Sequence, residues 1–126
     1  MLKTVVPEIH VRSSLAAKDF YSTKLGFDCV SSWRPDDSKD DPCYMGFVRD
    51  GVRLNVTSFR DGVLGVSVYV YVDDVDALHA EFTGKGIPHL GAVVDQSWGT
   101  REFGVTDPDQ NKIRFGQHLA PTPPTR

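Results

Sequence analysis

Cysteine is scarce in this chain. Of 126 residues only Cys29 and Cys43 are cysteines, and they form no CxxC pair. That excludes a disulfide scaffold and points to two reduced structural thiols. The four histidines, His10, His79, His89 and His118, show no HxxxH or HxH spacing, so no zinc motif is present. No apolar run approaches the roughly 18 residues a membrane-spanning helix needs. Met1 to Pro7 lacks an apolar stretch and a small-residue cleavage site, so the expectation is a cytoplasmic protein without a secretory signal. There is no basic excess either. The net charge of −3 argues against non-specific nucleic-acid binding. It suits a cationic ligand, and it is also an ordinary solubility charge. Finally, there is no Ser-His-Asp signature, no Gly-rich phosphate loop and no reactive-cysteine motif.

What is present is strand and helix patterning of good quality. Val66 to Val72 reads V-S-V-Y-V-Y-V, a strict period of two. Val5 to Val11 alternates and is rich in β-branched residues. Tyr44–Val48 and Val52–Phe59 flank Asp50-Gly51, a hairpin signal. Arg101–Val105 and Lys112–Gly116 flank the turn cluster Asp107-Pro108-Asp109-Gln110-Asn111. One helix starts near Ser13-Ser14, carries the stripe Ala17, Phe20, Tyr21, Leu25, and stops at Gly26. A second starts at Asp73-Asp74, carries Val75, Leu78, Phe82, and stops at Gly84 or Gly86. Ser31 to Pro42, polar and acidic, is expected to be a loop.

The two helical segments and the two hairpins repeat. The offset is 61 residues from Val11 to Val72 and 59 from Asp50 to Asp109. The reading is a single α+β domain of two βαβββ repeats, 1–60 and 61–117, forming a curved mixed sheet with helices on its convex face. A Pro-rich tail over 118–126 follows.

Period-two arithmetic assigns the faces. Ile9, Val11, Leu54, Val56, Val66, Val68, Val70, Val72, Ile113 and Phe115 form the aliphatic face, expected to pack under the helices. Glu8, His10, Arg53, Asn55, Thr57, Ser67, Tyr69, Tyr71, Lys112 and Arg114 form the other. A polar face with aromatics fits two descriptions, a solvated outer surface or the lining of a ligand site.

These features resemble the vicinal-oxygen-chelate superfamily, which includes glyoxalase I, extradiol dioxygenases, fosfomycin resistance enzymes and bleomycin resistance proteins. The resemblance rests on the duplicated pattern, on Phe20-Tyr21…Leu25-Gly26-Phe27 and on Asp107-Pro108-Asp109. Gly46 to Asp50 with the Leu54 strand, Val70 to Phe82, and Gln96 to Phe103 continuing to Asn111 look most like the bleomycin-binding members. The superfamily's enzymes hold a divalent metal on the concave face through His, Glu or Gln. The corresponding positions here are Val6, Asn55, Ser67 and Arg114. None is a plausible ligand: valine has no donor atom, arginine is always cationic, and serine and asparagine suit transition metals poorly. The resemblance therefore implies a metal-free, cofactor-free homodimer that sequesters a bleomycin-like glycopeptide in grooves between subunits. Two other readings stay open: a binding protein for another planar molecule, and a glyoxalase- or dioxygenase-type enzyme with an atypical site.

The candidate ligand-binding residues follow from face and resemblance. Trp98 resembles a ligand-stacking tryptophan, though a core or interface tryptophan fits the sequence as well. Tyr44 and Tyr69 align with aromatic positions of the bleomycin-binding members. Asn55 and Thr57 offer small hydrogen-bonding groups. Trp33 could cover a ligand or simply pack. Asp36, Asp37, Asp40 and Asp41 could draw a cation. Arg114 suits an anion instead, and Glu102 could pair with Arg114 or Arg101. No catalytic residue, nucleic-acid partner or membrane partner is expected.

Overall fold

Capping chemistry starts both helices. The Ser13 hydroxyl accepts the Ala16 amide at 3.2 Å, and the Asp74 carboxylate accepts the Ala77 amide at 3.0 Å. The computed structural model describes residues 1–119. Within them the chain forms two compact units. The first is Met1–Val66 with Asp107–Asn111. The second is Ser67–Thr106 with the segment from Lys112 onward.

The first unit contains β1 (Glu8–His10), α1 (Ser14–Lys18), β2 (Asp28–Trp33), β3 (Tyr44–Arg49) and β4 (Val52–Thr57). From Asp19 to Lys24 the helix continues as a π-helical turn, closed by the Leu25 amide on the Phe20 carbonyl at 2.9 Å. It ends at Gly26, whose φ of 77° is the left-handed conformation a helix stop uses. The strand order is β1-β4-β3-β2, with β1 parallel to β4 and the other pairs antiparallel. The β3–β4 connection has positive φ at both Asp50 and Gly51, the geometry of a two-residue hairpin turn. Ile9, Val11, Leu54 and Val56 are buried with the stripe Ala17, Phe20, Tyr21 and Leu25.

A polar knot closes this unit. Buried Asp107 accepts the Tyr21 hydroxyl, the amides of Asp109 and Asn111, and the Asn111 side-chain amide, all at 2.8–2.9 Å. Asn111 also donates to the His10 carbonyl, and its Oδ1 accepts the amides of Gly65 and Val66, each at 2.9 Å. Burial, then the Asp107 carboxylate, pushes the Tyr21 phenol far above its ordinary pKa.

The second unit contains β5 (Ser67–Tyr71), α2 (Val75–Thr83), β6 (Val94–Asp95), β7 (Thr100–Thr106) and β8 (Lys112–His118), ordered β5-β8-β7-β6. Here β5 is parallel to β8, matching β1 and β4. Its core is aromatic: Phe82, Phe103 and Phe115 pack with ring centroids 5.4–5.9 Å apart. The α+β class and the two βαβββ repeats are as the sequence suggests, with hydrogen bonding dividing the strands into two four-stranded mixed sheets.

Three expectations need correction. Ser31–Trp33 is not loop but the end of β2. Val68 and Val70 on β5 are only half-buried rather than core residues, unlike Ile9 on the matching strand β1. His118 closes β8 and stacks on Tyr71 at 5.1 Å, so the proposed tail cannot start there; 120–126 lie outside the described residues. No helix among the described residues is long and apolar enough to cross a membrane.

Candidate functional site

The polar faces of the two sheets share one plan. Asn55 on β4 and Arg114 on β8 occupy the same register. Each faces a glycine on one neighbour, Gly46 or Gly104. On the other neighbour each pairs with Glu8 or Tyr69. In both units a tyrosine hydroxyl reaches a glutamate across the sheet, with the residue types exchanged. Tyr44 of β3 donates to Glu8 of β1, and Tyr69 of β5 donates to Glu102 of β7 at 2.6 Å.

In the first unit the face is filled by its own side chains. The Asn55 amide donates to the Tyr44 hydroxyl at 3.3 Å, and Arg53 Nε donates to Asn55 Oδ1 at 3.1 Å. The Arg53 guanidinium lies over Gly46, where an added Cβ would come within 2.4 Å of it. The hydrogen bond to Glu8, then burial, raises the Tyr44 pKa. Trp33 is 61% exposed and stacks on Phe59 at 6.0 Å and 8°. Thr57 is 1% exposed, and its hydroxyl accepts the Phe59 amide at 3.1 Å, so it sits beneath the surface. The acidic stretch is largely spoken for. Asp36 accepts Ser38, Asp40 pairs with Arg34 at 3.9 Å, and Asp41 accepts the Ser14 amide and the Ser58 hydroxyl. Those contacts lower the Asp41 pKa despite burial, which acts the other way.

In the second unit the face is open. A groove of about 500 Å³ runs over Gly104, with Glu102, Lys112 and Arg114 along the sheet and Trp98 and Gln96 at its side. Its far wall, His89 to Ala92, is fixed at Gly91. The Gly91 amide donates to the Gly104 carbonyl, and its own carbonyl meets His79 Nε2, both at 2.9 Å. A Cβ on Gly91 would stand 3.0 Å from the Gly104 oxygen, a tight contact that favours glycine at this approach. Trp98 is carried outward by the turn from Gln96 to Gly99, which has φ of 95° at Gly99. It is 67% exposed and so is not a core residue. Glu102 is 6% exposed. It accepts Tyr69, Thr100 at 3.1 Å and Gln96 at 3.4 Å rather than pairing with an arginine. Arg101 pairs instead with Asp76 and Asp95. Burial, then the Glu102 hydrogen bond, raises the Tyr69 pKa.

Of the sequence candidates, Trp98, Glu102 and Arg114 line this groove, with Tyr69 attached through Glu102. Tyr44 and Asn55 meet on the first unit's face, near the β2 strand that carries Trp33. No motif in the sequence marks His89 or Gly91 as groove residues. Gly104 had a signal, a glycine inside a strand, which marks close backbone approach.

A family model described as glyoxalase superfamily protein matches residues 1–121. The chain belongs to the glyoxalase superfamily. Its relatives are bleomycin-binding and resistance proteins. The bleomycin resistance protein of Geobacillus stearothermophilus is 28% identical over 90% of this chain and 96% of its own length. The bleomycin-binding protein of Streptomyces verticillus, solved with copper(II)-bleomycin, is 25% identical with a TM-score of 0.69, covering 91% of this chain and 97% of that one. An antibiotic binding protein from a Streptomyces species is 26% identical with a TM-score of 0.69, covering 94% of this chain and 98% of that one.

The divalent metal of glyoxalase superfamily enzymes does not fit the residues present. Asn55 is tied to Tyr44 and Arg53, Arg114 is a fixed cation, and Val6 and Ser67 offer no suitable donor. Among the described residues no three His, Cys, Asp or Glu side chains converge.

Proposed function

We propose that this protein is a non-enzymatic antibiotic-binding protein that confers resistance by sequestering a bleomycin-like glycopeptide in the cytoplasm. The observation that carries the reading is the open groove beside Trp98, an exposed aromatic over a polar floor. Such a platform holds a flat heteroaromatic ring by stacking, worth about 1–3 kcal/mol per ring. The polar groups around it suit binding: Glu102 is held in place by three donors, Tyr69, Thr100 and Gln96. We further propose a homodimer, in which Trp33, Tyr44 and Asn55 of one protomer complete the groove of its partner, with no metal or cofactor taking part.

A plasmid-nicking assay tests this. One equivalent of protein should protect DNA from activated bleomycin, and drug recovered after denaturing the protein should have unchanged mass. Absent protection, or a drug of altered mass, would overturn the reading. One observation favours a second ligand class, another planar molecule: the groove's accessible charges are cationic.

A further inference from the structure

We infer that the groove of the second unit selects planar aromatic ligands bearing an acidic group, a carboxylate, sulfonate or acidic phenol, over neutral or cationic ones. The inference rests on the reading that this groove is the ligand site, and it names the chemistry admitted there.

Charge placement sets this selectivity. Glu102 is the groove's carboxylate, and both its oxygens are committed: Oε2 to Tyr69 at 2.6 Å and Thr100 at 3.1 Å, Oε1 to Gln96 at 3.4 Å. Lys112 and Arg114 are exposed on the same face of β8. Neither side chain has a hydrogen-bond or ion-pair partner among the described residues. Two residues apart on a strand, they stand about 6.6 Å from each other along it. Arg12 and Arg101, by contrast, are neutralised: Arg12 by Asp109 at 2.7 Å, Arg101 by Asp76 and Asp95. A chain of net charge −3 thus leaves two unpaired cations inside its open groove.

The floor between them suits a flat ring. Gly104 faces Arg114 in register, and a Cβ there would only just touch the Cγ atoms of Arg114 and Lys112, at 3.8 and 3.9 Å. A ring laid on the Gly104 backbone has Trp98 at its side and a guanidinium fork within reach of its acid group. Arginine binds planar oxyanions through paired N–H donors. Partial enclosure strengthens that attraction relative to open solvent.

The test is calorimetric titration of the full chain with anthraquinone-2-carboxylate, its neutral carboxamide and a trimethylammonium analogue, alongside metal-free bleomycin. The carboxylate should bind at least about tenfold more tightly than the amide at low salt, and the cation weakest. In the Lys112→Gln/Arg114→Gln double variant the carboxylate preference should fall below about threefold. Arg101→Gln, the same kind of charge loss outside the groove, should leave it intact. Equal binding of all three probes, a preference for the cation, or selectivity that survives the double variant would overturn the inference. If bleomycin binds and no anthraquinone does, the inference fails while the sequestration reading stands. If the carboxylate is selected and bleomycin does not bind, the reverse holds.

Discussion

The two polar faces start from one template and end differently. Each has a glycine opposite the central strand and a tyrosine–glutamate bond across the sheet. In the first unit Arg53 turns over Gly46 and is held by Asn55 and Ser31. In the second, Lys112 and Arg114 leave Gly104 uncovered, and the wall at Gly91 and the turn bearing Trp98 raise the sides of a groove. A glycine cradle is therefore not yet a site. It becomes one where the neighbouring side chains leave it empty and still charged.

The interiors differ as well. The first unit depends on the knot at Asp107 and Asn111, whereas the second is held by packed phenylalanines. The largest expected effect follows. Asn111→Ala strands the Gly65 and Val66 amides, and the His10 carbonyl, without their buried partner. It should destabilise the protein by about 3 kcal/mol, since each unmet buried group costs about 1–3. Urea melts measure this; a loss under about 1 kcal/mol would mean that the knot is not the first unit's main closure.

Next is Trp98→Ala. It should weaken drug binding by about 1–3 kcal/mol and change stability by no more than about 0.5 kcal/mol, as befits an exposed side chain. Weaker binding accompanied by a large stability loss would assign Trp98 to packing instead.

A pair of glycine variants sharpens the contrast within the second unit. A Cβ at Gly116 would fall 1.8 Å from the Tyr69 hydroxyl, while one at Gly104 meets only ordinary contacts. Gly116→Ala should expel Tyr69 from Glu102 and destabilise by about 1–2 kcal/mol. Gly104→Leu should fold normally and lose ligand. Equal melting temperatures for the two variants would contradict the placement of Tyr69.

The smallest effect is alkaline. Tyr21, Tyr44 and Tyr69 have raised pKa values in the folded protein, so folding favours their protonated forms. That contribution is fully present below about pH 10, the unfolded value, and is lost as pH rises through the folded values. Denaturant midpoints should be flat with respect to these groups up to about pH 10 and fall above it. Tyr69→Phe should make the fall shallower, and an unchanged slope would count against the Tyr69–Glu102 bond.

Local chemistry made much of this legible from sequence. Ser13 and Asp74 cap their helices as their residue types suggest, and the near-constant offset between Val11/Val72 and Asp50/Asp109 reflects a true repeat. The resemblance at Trp98-Gly99 leads to an exposed tryptophan beside the groove. Other features depend on neighbours that period-two reasoning cannot see. Ser31-Ser32-Trp33 lacks a strand pattern but pairs with Tyr44–Gly46. Thr57 lies on the polar face, yet it is buried. The β5 valines look like core residues but are only half-buried. The acidic loop reads as a cation lure until Ser14, Ser38, Ser58 and Arg34 are found against it. The groove wall at His89 and Gly91 is set by contacts with His79 and Gly104, which no short-range pattern encodes.

The central claim is that the protein captures its drug at Trp98 without altering it. Calorimetric titration of metal-free bleomycin into wild-type protein and Trp98→Ala tests this most directly. The account predicts saturable binding at one site per subunit in the wild type, and an affinity reduced about 5- to 150-fold in the variant, the equivalent of about 1–3 kcal/mol. Binding of equal strength in both proteins, or no binding heat in either, would contradict it.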